Sequence, residues 1–192
     1  MKEWSLYAIR DLALSSGRAV FSVQQLSHLI GKSRAIAAVY SARMVEKGLA
    51  KRVLKGRISF ASDEWVLATQ LVEPSYISLD SALLFHGVAK QVPKSIECIT
   101  PKNSFRFDRL GVTYHKVPRS LFFGYQKHDK GNSYVLVAEP EKAMLDGLYL
   151  RQYSKKDLLE YGARLDLPKL GSFLKRYKGR GSKKLRMLIG HD

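Results

Sequence analysis

The chain has 192 residues, of which 45% are hydrophobic and 10% aromatic. This composition can form a core and argues against intrinsic disorder for most of the chain, and the length predicts one large or two small domains. No apolar run approaches the ~18 residues that span a bilayer, and the charges of Glu3, Arg10 and Asp11 argue against a secretory signal peptide. The single cysteine, Cys98, excludes an intramolecular disulfide and a cysteine-based zinc site. We therefore expect a cytoplasmic protein.

The chain is strongly basic, with 33 Lys and Arg against 17 Asp and Glu and a formal net charge of +16. Residues 1–72 hold 11 basic and 5 acidic residues, residues 73–150 hold 10 and 8, and residues 151–192 hold 12 and 4. A surplus of this size favours a polyanionic partner, either nucleic acid or an anionic membrane surface, and the alternative is a solvated basic surface. The excess lies at the two ends of the chain.

The chain begins with two segments that have helical patterns. The stretch EWSLYAIRDLALSS places its apolar residues mostly at helical spacing and ends at Gly17. In FSVQQLSHLIG, Ser22 and Gln25 fit a capping box, and Gly31 ends the helix.

A third helix follows in GKSRAIAAVYSARMVEKG, with Ser33 as a candidate N-cap and Gly48 as the stop. The residues expected on its core side are Ile36, Val39 or Tyr40, and Met44. Two short helices joined by a tight turn that contains glycine predict a helix-turn-helix.

Two short strands come next, over residues 49–54 and 57–61, around a turn at Lys55 and Gly56. Helices followed by a basic hairpin predict a winged helix-turn-helix domain over residues 1–72. Between Lys32 and Arg57 there are eight basic residues and one acid, Glu46.

In such a domain the second helix of the pair lies in the major groove and the hairpin reaches phosphates or a minor groove. Small residues on that helix would let its backbone approach the groove walls, although alanines also simply raise helix propensity. A winged helix can also serve as a protein-interaction module. The predicted contacts with double-stranded DNA are Lys32, Ser33, Arg34, Ala37, Ser41, Arg43, Lys47, Lys51, Arg52, Lys55 and Arg57.

The remaining residues, 73–192, predict a second domain that begins after a linker helix and Pro74. A helix is expected from near Ser78 to Gly87, and another in EPEKAMLDGLYL, with Glu139 as cap. Strands are expected in SIECIT, GVTYHKV, LFFGYQ and SYVLVA, with a turn in KHDKGNS. Interleaved strands and helices predict an α+β fold, with a small, mostly antiparallel or mixed sheet and a helical tail over residues 154–192.

Sequence signals for catalysis are weak. The five histidines have no metal-ligand spacing, and a Gly-rich phosphate loop and a G-x-S-x-G motif are absent. Glu139, Glu141 and Asp146 lie around one helix start, where acids stabilise the helix dipole without any catalysis. His86 is expected to end a helix and pack against the sheet. We expect a protein without metal or cofactor that is not an enzyme; the alternative is an RNA-binding or nucleic-acid-processing module in the second domain.

Four segments together resemble a known family. They are PSYISLDSALLFHGV, VPKSIECITPK, GVTYHKVPRSLFFGY and VLVAEPEKAMLDGLYLR. Their order and spacing resemble the antitoxins of AbiE-type, type IV toxin–antitoxin systems over residues 5–152.

The resemblance implies a winged-helix transcriptional repressor that binds inverted repeats in its own promoter. It also implies a C-terminal domain that counteracts a nucleotidyltransferase toxin, with neutralisation that does not depend on a stable complex. Solitary regulators of similar sequence are the alternative. The toxin's own signature, a Gly-Ser pair followed by Asp-x-Asp, is not found in this chain.

The tail departs from the resemblance and contains KRYKGRGSKKLR, with seven basic residues and no acid. Apolar residues on both sides predict that this segment is held to a core at both ends. We expect nucleic-acid contacts there, and a frayed, solvated terminus is the alternative. The candidate contacts are Lys178, Arg180, Lys183 and Lys184.

Overall fold

The computed structural model of the chain describes residues 4–178 and 180–189. The fold is α+β, and contacts between Cα atoms divide it into two compact units. Unit 1 comprises Met1–Glu73 and His128–Val135, and unit 2 comprises Pro74–Lys127 and Leu136–Asp192. Among the described residues, no helix is both long and apolar enough to cross a membrane.

The described part of unit 1 contains four helices and a small sheet. The elements are α1 (Leu6–Ser15), β1 (Val20–Ser22), α2 (Val23–Ile30), α3 (Arg34–Glu46), β2 (Lys51–Leu54), β3 (Arg57–Ser59) and α4 (Glu64–Leu71). The three strands are antiparallel in the order β1-β3-β2. The sequence did not predict β1, which pairs with the strand that closes the hairpin.

Local signals position α2 and α3 as expected. Ser22 and Gln25 form the capping box, in which the Ser22 N–H donates to Gln25 Oε1 at 2.8 Å. Gly31 ends α2 in the left-handed conformation, with φ 62°. Ser33 is the N-cap of α3, and its hydroxyl accepts a hydrogen bond from the Ile36 N–H at 3.3 Å.

The remaining strands form a six-stranded sheet with helices packed on it. The strands are β4 (Tyr76–Ile77), β5 (Ile96–Thr100), β6 (Phe105–Phe107), β7 (Val112–Lys116), β8 (Tyr125–Lys130) and β9 (Ser133–Ala138). The helices are α5 (Leu79–Phe85), α6 (Pro140–Tyr149), α7 (Lys155–Gly162), α8 (Leu167–Leu174) and α9 (Arg180–Ile189).

The larger sheet confirms the mixed arrangement that the sequence left open beside a mostly antiparallel one, but with six strands it is larger than expected. Its order is β6-β7-β5-β4-β9-β8, and it is mixed. The β4–β5 and β6–β7 pairs are antiparallel, whereas the β4–β9 and β5–β7 pairs are parallel. Strand patterns along the chain do not encode which strands become neighbours, because that choice follows from the crossover connections.

The segment LFFGYQ is also not a strand along its whole length. A 3₁₀ turn spans Arg119–Leu121, and β8 begins only at Tyr125. Gly124, at φ 71°, interrupts the extended backbone, since this left-handed conformation is incompatible with a continuing strand. Lys127 to Lys130, predicted as part of a turn, belong to β8.

Candidate nucleic-acid interface

Helix α3 presents a largely apolar surface to solvent. The exposed residues are Arg34, Ala35, Ile36, Ala38, Val39, Ala42, Arg43, Glu46 and Lys47, the last immediately after the helix. Ile36 is 42% exposed, so its predicted place on the core side is wrong. Of the alternatives Val39 and Tyr40, Tyr40 packs against the core and Val39 is 50% exposed.

The buried side of α3 requires a second correction. Ala37 is 0% exposed and Ser41 is 6% exposed, and both lie on the same side of the helix as the buried Met44. Ala37 and Met44 belong to the hydrophobic core formed with α1, α2 and the small sheet. Ala37 and Ser41 therefore cannot contact DNA. Their small side chains instead allow α3 to pack closely within the unit, and their spacing of i, i+4 and i+7 with Met44 is the sequence signal for this face.

The β2–β3 hairpin is held beside the start of α2. Its turn comprises Lys55 and Gly56, and Gly56 adopts φ 71°. The carbonyl of Gly56 accepts a hydrogen bond from the Val23 N–H at 3.1 Å, so the tip of the hairpin is fixed to the first residue of α2. Lys51 and Arg52 are exposed on β2.

These elements enclose an open groove of about 590 Å³. The start of α2, one side of α3 and the hairpin turn line it, with the residues Ser22, Val23, Gln24, Arg34, Ala35, Ala38, Lys55, Gly56 and Arg57. The lining contains three cationic side chains and no acidic one. Arg34 is also the first residue of α3, where the helix dipole adds positive potential. The groove therefore favours a polyanion.

The groove includes only part of the predicted contact set. Arg34, Lys55 and Arg57 come together there, and the structure adds Gln24, for which the sequence gave no signal. The other predicted polar contacts lie outside the lining: Lys32, Ser33, Arg43, Lys47, Lys51 and Arg52. All of these except the half-buried Lys32 are exposed.

The basic tail is held to unit 2 on both sides, as the sequence predicted. Leu174 before the basic segment is buried, and so are Tyr177 and Leu185 within it, whereas Met187 after it is 63% exposed. Lys178 and Lys183, between the two buried residues of the segment, are exposed. The side chains of Arg180 and Lys184 lie outside the described residues.

Two of the acids predicted around one helix start, Glu139 and Glu141 at the start of α6, form hydrogen bonds or ion pairs with neighbouring groups. Glu139 accepts hydrogen bonds from Gln126 at 2.6 Å and forms an ion pair with Lys169 at 2.8 Å. Glu141 accepts a hydrogen bond from the Asp166 N–H at 2.9 Å. The described residues contain no cluster of three or more His, Cys, Asp or Glu arranged to hold a metal ion.

Asp146 is fully buried and pairs with Lys142 one turn earlier in α6. It also accepts hydrogen bonds from the hydroxyls of Tyr76 and Ser78, at 3.0 and 2.9 Å, and from Tyr177 at 3.3 Å. Burial lowers the pKa of Lys142, and the Asp146 carboxylate opposes this shift. Burial together with the Asp146 charge raises the pKa of Tyr76 and Tyr177 well above the usual range, so both hydroxyls remain protonated donors.

His86 has the structural role that the sequence predicted. It is the C-cap of α5, and its Nε2 lies 2.9 Å from the carbonyl oxygen of Ala138 at the end of β9.

No protein-family model matches this chain, and a search of curated proteins finds no significant similarity.

Proposed function

We propose that unit 1 is a winged helix-turn-helix domain that binds double-stranded DNA. Helix α3 enters the major groove, and the β2–β3 hairpin is the wing that contacts the backbone. The order of helices and strands in unit 1 supports this assignment, as does the three-residue connection from α2 to α3, with Gly31 in the left-handed conformation.

The observation that carries the proposal is the groove between α2, α3 and the hairpin turn. Arg34, Lys55 and Arg57 contribute cations from two separate elements, and no acid lines the same surface. Cations on both the helix and the hairpin can contact phosphates on either side of a groove, which positions the helix against base edges.

We further propose that the protein is a cytoplasmic transcriptional repressor of the antitoxin kind. It would bind inverted repeats in its own promoter and counteract a nucleotidyltransferase toxin without a stable complex between them. This part of the proposal is supported by the sequence resemblance over residues 5–152. A solitary winged-helix regulator is the alternative. A chain that binds its promoter but does not neutralise a toxin in cells would favour this alternative.

Titration of labelled duplexes tests the DNA-binding proposal. We expect the full chain to bind its upstream region more tightly than a random duplex of equal length, with an affinity that falls as salt rises. Arg34→Ala should cost about 1–3 kcal/mol on the specific duplex if Arg34 reads a base. An equal loss on both duplexes would make Arg34 a phosphate contact. Arg106→Ala removes the same charge from an exposed site in unit 2 and is the matched control.

The anchored basic tail is proposed as an additional nucleic-acid contact. Ordering a segment that is already held at both ends costs less entropy than ordering a free tail. Neutralising Lys178 and Lys183 should weaken DNA or RNA binding without changing sequence preference. Neutralising Lys90 and Lys102, which are also exposed in unit 2, controls for net charge. If both double variants weaken nucleic-acid binding equally and toxin neutralisation is unchanged, the tail is only a solvated surface.

A further inference from the structure

Two exposed branched apolar side chains, Ile36 and Val39, lie on the helix assigned to the major groove. The core of unit 1 is already formed on the opposite side of α3, by residues that include Ala37 and Met44. Packing within unit 1 therefore does not account for the two exposed side chains.

The exposed surface around this pair lacks hydrogen-bonding side chains. Between Arg34 and Arg43, the exposed residues are Ala35, Ile36, Ala38, Val39 and Ala42. The two arginines are about 13 Å apart along the helix axis, from a rise of about 1.5 Å per residue. The helix thus presents cations at its ends, and its exposed residues between them carry only methyl and methylene groups, while Tyr40 is half-buried against the core.

The charges around this surface indicate which partner it fits. Eight basic residues and one acid lie between Lys32 and Arg57, and the adjacent groove is lined by cations without an acid. An apolar surface with cations around it is complementary to an apolar strip on the surface of a polyanion. In the major groove, the only apolar group that base pairs present is the 5-methyl group of thymine.

The other base edges fit this surface poorly. An amino group, N7 or carbonyl oxygen pressed against Ile36 or Val39 would lose its water and gain no hydrogen bond in return. We propose, on the basis of the DNA-binding function above, that Ile36 and Val39 read thymine methyl groups, so that the centre of each half-site is rich in A·T pairs. Arg34 and Arg43 are nine residues apart and therefore on opposite sides of the helix, so they can contact phosphates on either side of this strip.

Deoxyuridine substitution tests the inference, because it removes only the methyl group. Duplexes bound by the full chain are first selected from a random library, and each thymine of the selected half-site is then replaced in turn. Loss of one methyl contact should weaken binding about fourfold at each of the contacted positions. In the Val39→Ala variant, replacing thymine by deoxyuridine should no longer weaken binding at one of these positions. In the Ile36→Ala variant, the thymine effect should disappear at a neighbouring position.

Both substitutions keep a strong helix former at an exposed position, so the fold is retained. Val92→Ala, at a 76% exposed valine in unit 2, is the control and should leave every thymine effect unchanged. Selected duplexes that bind equally well with thymine or deoxyuridine at every position would overturn the inference. So would deoxyuridine effects that persist in full in both α3 variants. Failure to select any sequence would instead reject the DNA-binding proposal itself.

Discussion

Replacement of Lys142 by Met tests whether the buried ion pair of α6 stabilises unit 2 by neutralising Asp146. Methionine keeps the length and most of the volume of the lysine stem, so the change removes mainly the charge. Both side chains of the pair are fully buried, and the ammonium group also lies 4.9 Å from the centre of the Phe123 ring.

The expected loss in unfolding free energy is about 3–5 kcal/mol, the range for breaking a buried pair by removing one partner. Most of this cost arises because Asp146 loses its counter-charge at a fully buried position. The hydroxyls of Tyr76, Ser78 and Tyr177 still donate to it, but three neutral donors do not supply a counter-charge. Arg106→Met is the control, because Arg106 and its partner Asp108 are 75% and 76% exposed and such a pair contributes only about 0–1 kcal/mol.

Urea denaturation of the full chain, followed by far-ultraviolet circular dichroism, measures the loss. The decisive comparison is with Lys142→Met combined with Asp146→Asn. The double variant should be more stable than Lys142→Met alone, because no charge is left buried and the asparagine oxygen still accepts a hydrogen bond. A double variant that is as unstable as the single one, or less stable, would show that lost packing rather than unpaired charge determines the effect.

Three further predictions follow from particular contacts. Lys55→Ala should reduce the slope of log affinity against log salt by about 0.9 if Lys55 contacts one phosphate, and an unchanged slope would remove it from the interface. Gly147→Ala should destabilise the fold by about 1–3 kcal/mol in thermal denaturation, because its Cβ would clash with the ring of the half-buried Tyr153. Gly162→Ala, at a helical glycine with open space around it, should instead be neutral or stabilising by up to about 1 kcal/mol. Ser154→Ala should cost about 1 kcal/mol at neutral pH. The Ser154 hydroxyl and N–H both donate to Asp157 at 2.7 Å and hold the pKa of that carboxyl below 3.8. The stabilisation is therefore present above that value and is lost as the pH falls through the lowered pKa, so the difference between variant and parent should shrink in acid.

Features that depend on near neighbours in the chain could be predicted from the sequence alone. Ser22 with Gln25, and Ser33 at the start of α3, are capping interactions between residues three apart. Gly31 ends α2 because a glycine adopts the left-handed conformation without strain. The hairpin turn at Lys55 and Gly56 depends on the same property. Together with the charge distribution, these signals predicted the α+β class and the candidate interface on α3 and the hairpin.

The face of α3 that points to solvent depends instead on tertiary packing. By size and polarity, Ile36 and Val39 belong in a core and Ser41 belongs on a surface, yet the packing of unit 1 reverses them. The small side chains of Ala37 and Ser41 allow other elements of unit 1 to approach α3 closely. Which side of the helix needs small side chains depends on the surrounding elements rather than on side-chain hydrophobicity.

Tertiary contacts likewise determine the strand order and the core of unit 2. Lys142 and Asp146, four residues apart in one helix, have the spacing of an ordinary surface pair. They are buried because Tyr76 and Tyr177 approach them from positions 70 and 31 residues away from Asp146 in the chain. The parallel pairing of β4 with β9 likewise joins distant segments. Such contacts form only after the chain has closed long loops, so no local pattern can specify them.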